Sequence, residues 1–155
     1  MDIYLFEFRL SGSARNYVKT LALRIANDFQ VRGLTTHRVV PHVSVVGSFN
    51  TAFEKRVISD MENVCRKYDS LVFKFEGFRQ FGNFLRRNRV LAVNIEPSTE
   101  LAMLRSDMIK ALSEYCKLGK FDKKEWKPHA TLAFKDIDSK FSKSRAFWIN
   151  KIALP

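Results

Sequence analysis

Two short segments, VPHVSVVGS at residues 40–48 and WKPHATLAF at 126–134, each set a histidine two residues ahead of a hydroxyl within an apolar run. On an extended strand, residues i and i+2 point to one face, so His42 with Ser44, and His129 with Thr131, each form an imidazole–hydroxyl pair. Val43, Val45, Ala130 and Leu132 then carry the opposite, buried face. An imidazole has an ordinary pKa of about 6.5 and exists in both charge states near neutrality. Two of them suit a reaction in which one takes a proton from an attacking oxygen while the other gives one to a departing oxygen. Hydroxyls placed beside them can hold the non-bridging oxygens of a phosphodiester as charge redistributes.

Other chemistries fit less well. A zinc centre needs three or four ligands, and neither segment offers His-x-His, HExxH or a cysteine pair; Asp136 and Asp138 are the carboxylates nearest the second. No metal and no cofactor are expected. A serine nucleophile wants a strained GxSxG elbow, which HVSVVG lacks. A single strand histidine is ordinarily structural, so the weight rests on there being two in register. His37 is the contrast: Val39 stands where a hydroxyl would be and Lys124 is its counterpart, so it reads as surface.

The elements that must position these groups follow from periodicity. Residues 3–10 read as a buried strand. Ser13 is expected to cap a helix carrying Tyr17, Val18, Leu21, Ile25 and Phe29, with Gly33 as its stop. The first histidine strand spans 39–47. A capping box of Thr51 and Glu54 opens a helix over 51–68 with Val57, Ile58, Met61, Val64 and Tyr68 on one face. A strand at 71–78 closes the first half. The pattern then restarts with a strand at 90–97, a Ser98 cap, a stripe of Leu101, Leu104, Met108, Leu112 and Tyr115, a stop at Gly119, and the second histidine strand. AFWINKIALP (146–155) would be the last strand, and 135–145 a short helix or loop.

The histidines are offset by 129 − 42 = 87, and that shift without gaps lays Pro41 on Pro128, Ser44 on Thr131, Phe8 on Ile95, Leu21 on Met108 and Ile25 on Leu112. The chain therefore reads as an α+β domain over 1–155, bilobed, with a repeat of about 1–80 and 88–155 related by a pseudo-two-fold and no linker between the halves. Symmetry would bring both pairs to a central cleft.

A chain of 155 residues with 46% hydrophobic content suffices for one core. Lys and Arg number 27 against 16 Asp and Glu, a net charge of +11 that favours anionic partners, nucleic acid above all. Asp2, Glu7 and Arg9 interrupt the apolar opening, which excludes a signal peptide or membrane span there, and a cytoplasmic monomer is expected. Cys65 and Cys116 lack ligand spacing and read as inert, half-buried thiols.

PHVSVV and PHATLAF, together with the opening strand and helix, FEGFRQFGNF ahead of VLAVNIEP, and Trp-Lys-Pro before the second histidine, resemble the 2H phosphoesterase superfamily, which includes 2′-5′ RNA ligase-like proteins and cyclic phosphodiesterases. The resemblance implies a metal-independent enzyme with two antiparallel sheets lining a cleft, acting on 2′,3′-cyclic phosphates or 2′-5′ linkages at RNA ends. It makes His42 and His129 the acid–base pair and Ser44 and Thr131 the phosphate-holding hydroxyls. Many relatives carry Arg shortly after the second motif; here Phe134-Lys135 stands there, so the supporting cation is either Lys135 or absent.

The segment QFGNFLRRNR (80–89) mixes Phe81 and Phe84 with Arg86, Arg87 and Arg89, a composition that grips an unpaired RNA end by stacking and phosphate contact. Lys123, Lys124 and Lys127 add positive potential ahead of the second motif. The expected activity is hydrolysis of a 2′,3′-cyclic phosphate. The alternatives are a non-catalytic RNA-end binding module and 2′-5′ ligation.

Overall fold

The alternating run IYLFEFR forms β1 (Ile3–Arg9), with Tyr4, Phe6 and Phe8 half-buried and the residues between them exposed, in a computed structural model that describes residues 3–31, 40–82, 89–134 and 137. Helix α1 (Gly12–Phe29) starts earlier than Ser13 allows. Gly12 adopts φ +54°, a left-handed turn that side chains resist, and it turns the strand directly into a helix whose N-cap is Ser11. The Ser11 carbonyl accepts from the Arg15 amide at 3.2 Å, with no side-chain cap. The helix also stops earlier than expected. Gln30 takes the left-handed conformation at φ 52°, and its side-chain amide donates to the Asn27 carbonyl at 2.9 Å. Gly33 lies outside the described residues, as does His37.

The first histidine strand is β2 (His42–Asn50), three residues later at each end than its apolar run suggests. Helix α2 (Glu54–Cys65) starts later than 51 because the Thr51 hydroxyl accepts from the Phe53 amide at 3.0 Å, closing a local turn instead of capping a helix, and it ends three residues before 68. Val57, Met61 and Val64 are buried as the stripe requires, while Ile58 is exposed. β3 (Phe73–Phe81) runs on past residue 78, and β4 (Val90–Pro97) has the bounds its sequence indicates. Ser98 caps α3 (Thr99–Ser113) by accepting from the Leu101 amide at 3.2 Å, and Leu101, Leu104, Met108 and Leu112 are buried. The helix ends well before Gly119. The second histidine strand is β5 (His129–Phe134). The expected last strand lies outside the described residues, as does all of 135–145 except the buried Ile137.

The fold is α+β, with two antiparallel sheets, β1-β2 and β3-β4-β5, and three helices among the described residues. The chain divides into two compact units, each drawing on both halves of the sequence. One comprises Met1–Phe8, Val43–Lys74 and Ile95–Pro128; the other comprises Arg9–His42, Phe75–Asn94 and His129–Pro155.

In the first unit α2 packs on α3, and Val45, Val46 and Phe49 of β2 join Met61, Leu104 and Leu112 in one core. Burial of each such side chain contributes about 1.5–3 kcal/mol. Phe6 stacks on Phe49 with ring centroids 6.0 Å apart. Two reciprocal hydrogen bonds lock the helix pair: Tyr68 donates to Asp107 at 3.0 Å and Tyr115 donates to Asp60 at 2.9 Å. In the second unit α1 packs on β5 through the face bearing Val18, Leu21, Ala22 and Ile25, and Tyr17 meets Phe75 at 4.9 Å. Of the cysteines, Cys116 is buried, but Cys65 is exposed rather than half-buried, with desolvation pushing its thiol pKa up.

Candidate active site

In β2 and β5 the exposure pattern from each histidine onward is the same for six residues: half-buried, buried, half-buried, buried, buried, half-buried. His42 and Ser44 thus share one accessible side of β2, and His129 and Thr131 share one of β5, while Val43, Val45, Ala130 and Leu132 are buried. The doubled burial at Leu132 and Ala133 has a visible cause. β5 pairs antiparallel with β4 as Asn94↔His129, Val93↔Ala130 and Ala92↔Thr131, then skips Leu132 before Leu91↔Ala133. That one-residue bulge begins just past Thr131, so it inserts a second inward residue without disturbing the histidine–threonine register.

Each motif is also anchored through the proline before its histidine. The Pro41 carbonyl accepts from the Leu10 amide at 2.9 Å, and the Pro128 carbonyl accepts from the Ile95 amide at 3.0 Å. Both prolines are buried. The gap-free repeat would pair Pro41 with Phe8, so the first anchor is slid by two residues, a shift that preserves which face is which.

His42 Nδ1 stands 2.8 Å from the Val40 carbonyl oxygen. A carbonyl only accepts, so in this contact Nδ1 is the donor. The imidazole of His129 packs on the Phe81 ring at 4.4 Å between centroids, the planes inclined at 41°. The segment 80–89 reads as a loop in the sequence, but Phe81 is the last residue of β3, and its ring packs on a histidine. Asn94, directly across the ladder from His129, has a buried Oδ1 that finds no hydrogen-bond partner among the described residues.

Ser44 is fixed through its backbone. Trp126 Nε1 donates to the Ser44 carbonyl at 3.2 Å, Arg105 Nε donates to the Val45 carbonyl at 3.0 Å, and the Gly47 amide donates to Asp122 Oδ1 at 2.9 Å. Arg105 and Asp122 form an ion pair at 3.7 Å with side chains only 12% and 1% exposed. The guanidinium also lies 5.2 Å from the Trp126 ring centroid. Desolvation lowers its pKa and Asp122 opposes that shift, leaving it charged. No pattern in the sequence marks this cluster: Arg105 reads as helix surface and Asp122 as part of a solvated lysine-rich loop.

His42, His129 and Thr131 fall in the same compact unit, and Ser44 in the other. Lys127 is exposed and pairs with Glu125 at 3.3 Å. Phe84, Arg86, Arg87 and Lys135 lie outside the described residues. Among the described residues no group of three or more His, Cys, Asp or Glu is placed to hold a metal ion, and no helix is long and apolar enough to cross a membrane.

The family model of the 2′-5′ RNA ligase superfamily matches residues 14–150. The chain belongs to that superfamily. The fold of this 2′-5′ RNA ligase superfamily member is similar to the solved structure of Usb1 from Kluyveromyces marxianus, with a TM-score of 0.50 and 15% sequence identity over 96% of this chain and 76% of that one. No curated protein sequence matches it.

Proposed function

We propose that this superfamily member is a metal-independent phosphodiesterase of RNA or nucleotide ends that opens 2′,3′-cyclic phosphates. The observation that carries the reading is the shared six-residue exposure pattern, which presents one imidazole and one hydroxyl on the accessible side of each of two proline-anchored strands. In the proposed reaction a water oxygen attacks phosphorus and loses its proton to one neutral histidine. The bond from phosphorus to one ribose oxygen breaks, and that oxygen takes a proton from the other, protonated histidine. His42 exchanges through Nε2. Ser44 and Thr131 hold the non-bridging oxygens. Side chains supply both proton transfers and the charge stabilisation, which is why no metal and no cofactor enter the scheme. Lys127, Lys135, Phe84, Arg86 and Arg87 are proposed to hold the flanking nucleotides, and the protein to act as a cytoplasmic monomer.

The test is hydrolysis of a nucleoside 2′,3′-cyclic phosphate in excess EDTA. Turnover should persist, and His42→Ala or His129→Ala should each lower it by about 10²–10⁴-fold with an unchanged unfolding midpoint. Tight binding of the cyclic-phosphate end without product would make the chain a binding module instead. Full activity in either histidine variant would exclude the acid–base pair.

A further inference from the structure

The segment 117–126 runs beside β2 in the opposite direction. Lys117 forms an antiparallel bridge with Asn50, and a Cβ added to Gly119 would stand 3.3 Å from the Ser48 carbonyl. A Cβ on Gly47 would meet Phe121 at 2.9 Å, and Trp126 reaches the Ser44 carbonyl. The segment is therefore a strap laid along the first motif strand from its far end to Ser44. Its one buried carboxylate, Asp122, turns inward onto Arg105. Lys120, Lys123, Lys124 and the ring of Phe121 are left exposed.

Phe121 is not a loose surface side chain. Its Cβ and ring edge fit against the bare Cα of Gly47, and the Arg105 guanidinium lies 6.0 Å from its ring centroid. An exposed aromatic ring seated on the backbone of β2, with three exposed lysines within three residues of it in the same strap, matches the two features of a single-stranded nucleic acid. An unpaired base stacks on any aromatic face, and each phosphate meets a cation.

We propose that the strap is a binding platform for single-stranded RNA, with Phe121 stacking one base and Lys120, Lys123 and Lys124 pairing with phosphates. The proposal rests on the reading of the chain as acting at RNA ends. It deepens that reading by naming the substrate as an oligonucleotide rather than a mononucleotide. Gly47 is three residues along β2 from Ser44, about 10 Å. The platform thus holds a nucleotide next to the reacting phosphate, not at it.

The test compares two probes. One is a fluorescein-labelled oligouridylate of about ten nucleotides ending in a 2′,3′-cyclic phosphate, read by anisotropy; the other is a nucleoside 2′,3′-cyclic phosphate, read by turnover. Phe121→Leu, which keeps an apolar contact for Gly47, should weaken oligonucleotide binding by about 5–100-fold, and Phe121→Trp should restore it. Each of Lys120→Gln, Lys123→Gln and Lys124→Gln should reduce the slope of log affinity against log salt by about 0.7. Mononucleotide turnover should stay within about two-fold of the parent in all of them. Unchanged oligonucleotide affinity and salt slope would overturn the platform, as would a Phe121→Leu protein that loses mononucleotide turnover equally. Lysine-dependent binding to phosphatidylserine vesicles without any oligonucleotide effect would also overturn it. The anisotropy arm needs no catalysis, so failure of the parent protein to hydrolyse either probe would count against the proposed reaction and leave the platform to be decided by binding.

Discussion

Arg105 and Asp122 form a buried pair whose cost lies in what each leaves behind when the other is removed. Asp122 accepts from the Gly47 amide and faces the guanidinium, and Arg105 in turn donates to the Val45 carbonyl. Both groups thereby hold the backbone of β2 just past Ser44. Asp122→Ala would strand a nearly buried cation and an amide together, and is expected to lower stability by about 3–5 kcal/mol in urea unfolding. Asp122→Asn keeps an acceptor for Gly47 and should fall between that variant and the parent. If Asp122→Ala unfolded within about 0.5 kcal/mol of the parent, the pair would be no structural anchor. The histidine and hydroxyl positions were legible because their spacing matches the period of a strand. This pair was not, since an arginine on an amphipathic helix and an aspartate among lysines both satisfy the pattern of solvated surface. What buries them is the strap's path along β2, a non-local event with no local signature.

At the scale of elements, α2 and α3 are joined by the Tyr68–Asp107 and Tyr115–Asp60 bonds as much as by their apolar faces. The Tyr115 phenol is pushed well above its ordinary pKa, first by desolvation and then by the carboxylate of Asp60. The sign follows from proton counting. Below about pH 10 the phenol is protonated in both folded and unfolded chains, so its contribution is fully present. Above that, the unfolded chain releases a proton the folded one retains, and stability falls as pH rises. Urea midpoints measured between about pH 8 and 11 should therefore decline at the alkaline end, and the decline should be shallower in Tyr115→Phe. Tyr68, raised in the same direction by desolvation and Asp107, keeps it from vanishing. Equal alkaline slopes in the two proteins would refute the link. Tyr115 also shows how far periodicity reaches. Its place in the apolar stripe was readable, but the use of its hydroxyl was not, because the partner is 55 residues away. Helix ends depart from the periodic pattern for a related reason: the Thr51 hydroxyl and the Gly12 backbone decide them through local turns that compete with the expected caps.

For the whole molecule, the sequence halves and the compact units do not coincide. Helix α1 comes from the first half and packs on β5 from the second; α2 from the first packs on α3 from the second. A half expressed alone would keep its helices but lose the surface each one buries against. Isolated short helices are marginal in water when their apolar face has no partner. We therefore expect a fragment of residues 1–82, which retains α1 and α2 without β5 or α3, to show no cooperative thermal transition by circular dichroism. The fragment 89–155 should behave likewise. Mixing the two should restore helical signal and a single transition, since all the missing surfaces are then supplied. A fragment of either half that unfolded cooperatively alone would mean that the repeat seen at offset 87 corresponds to independently folding lobes, and that the single-domain reading of 1–155 is wrong.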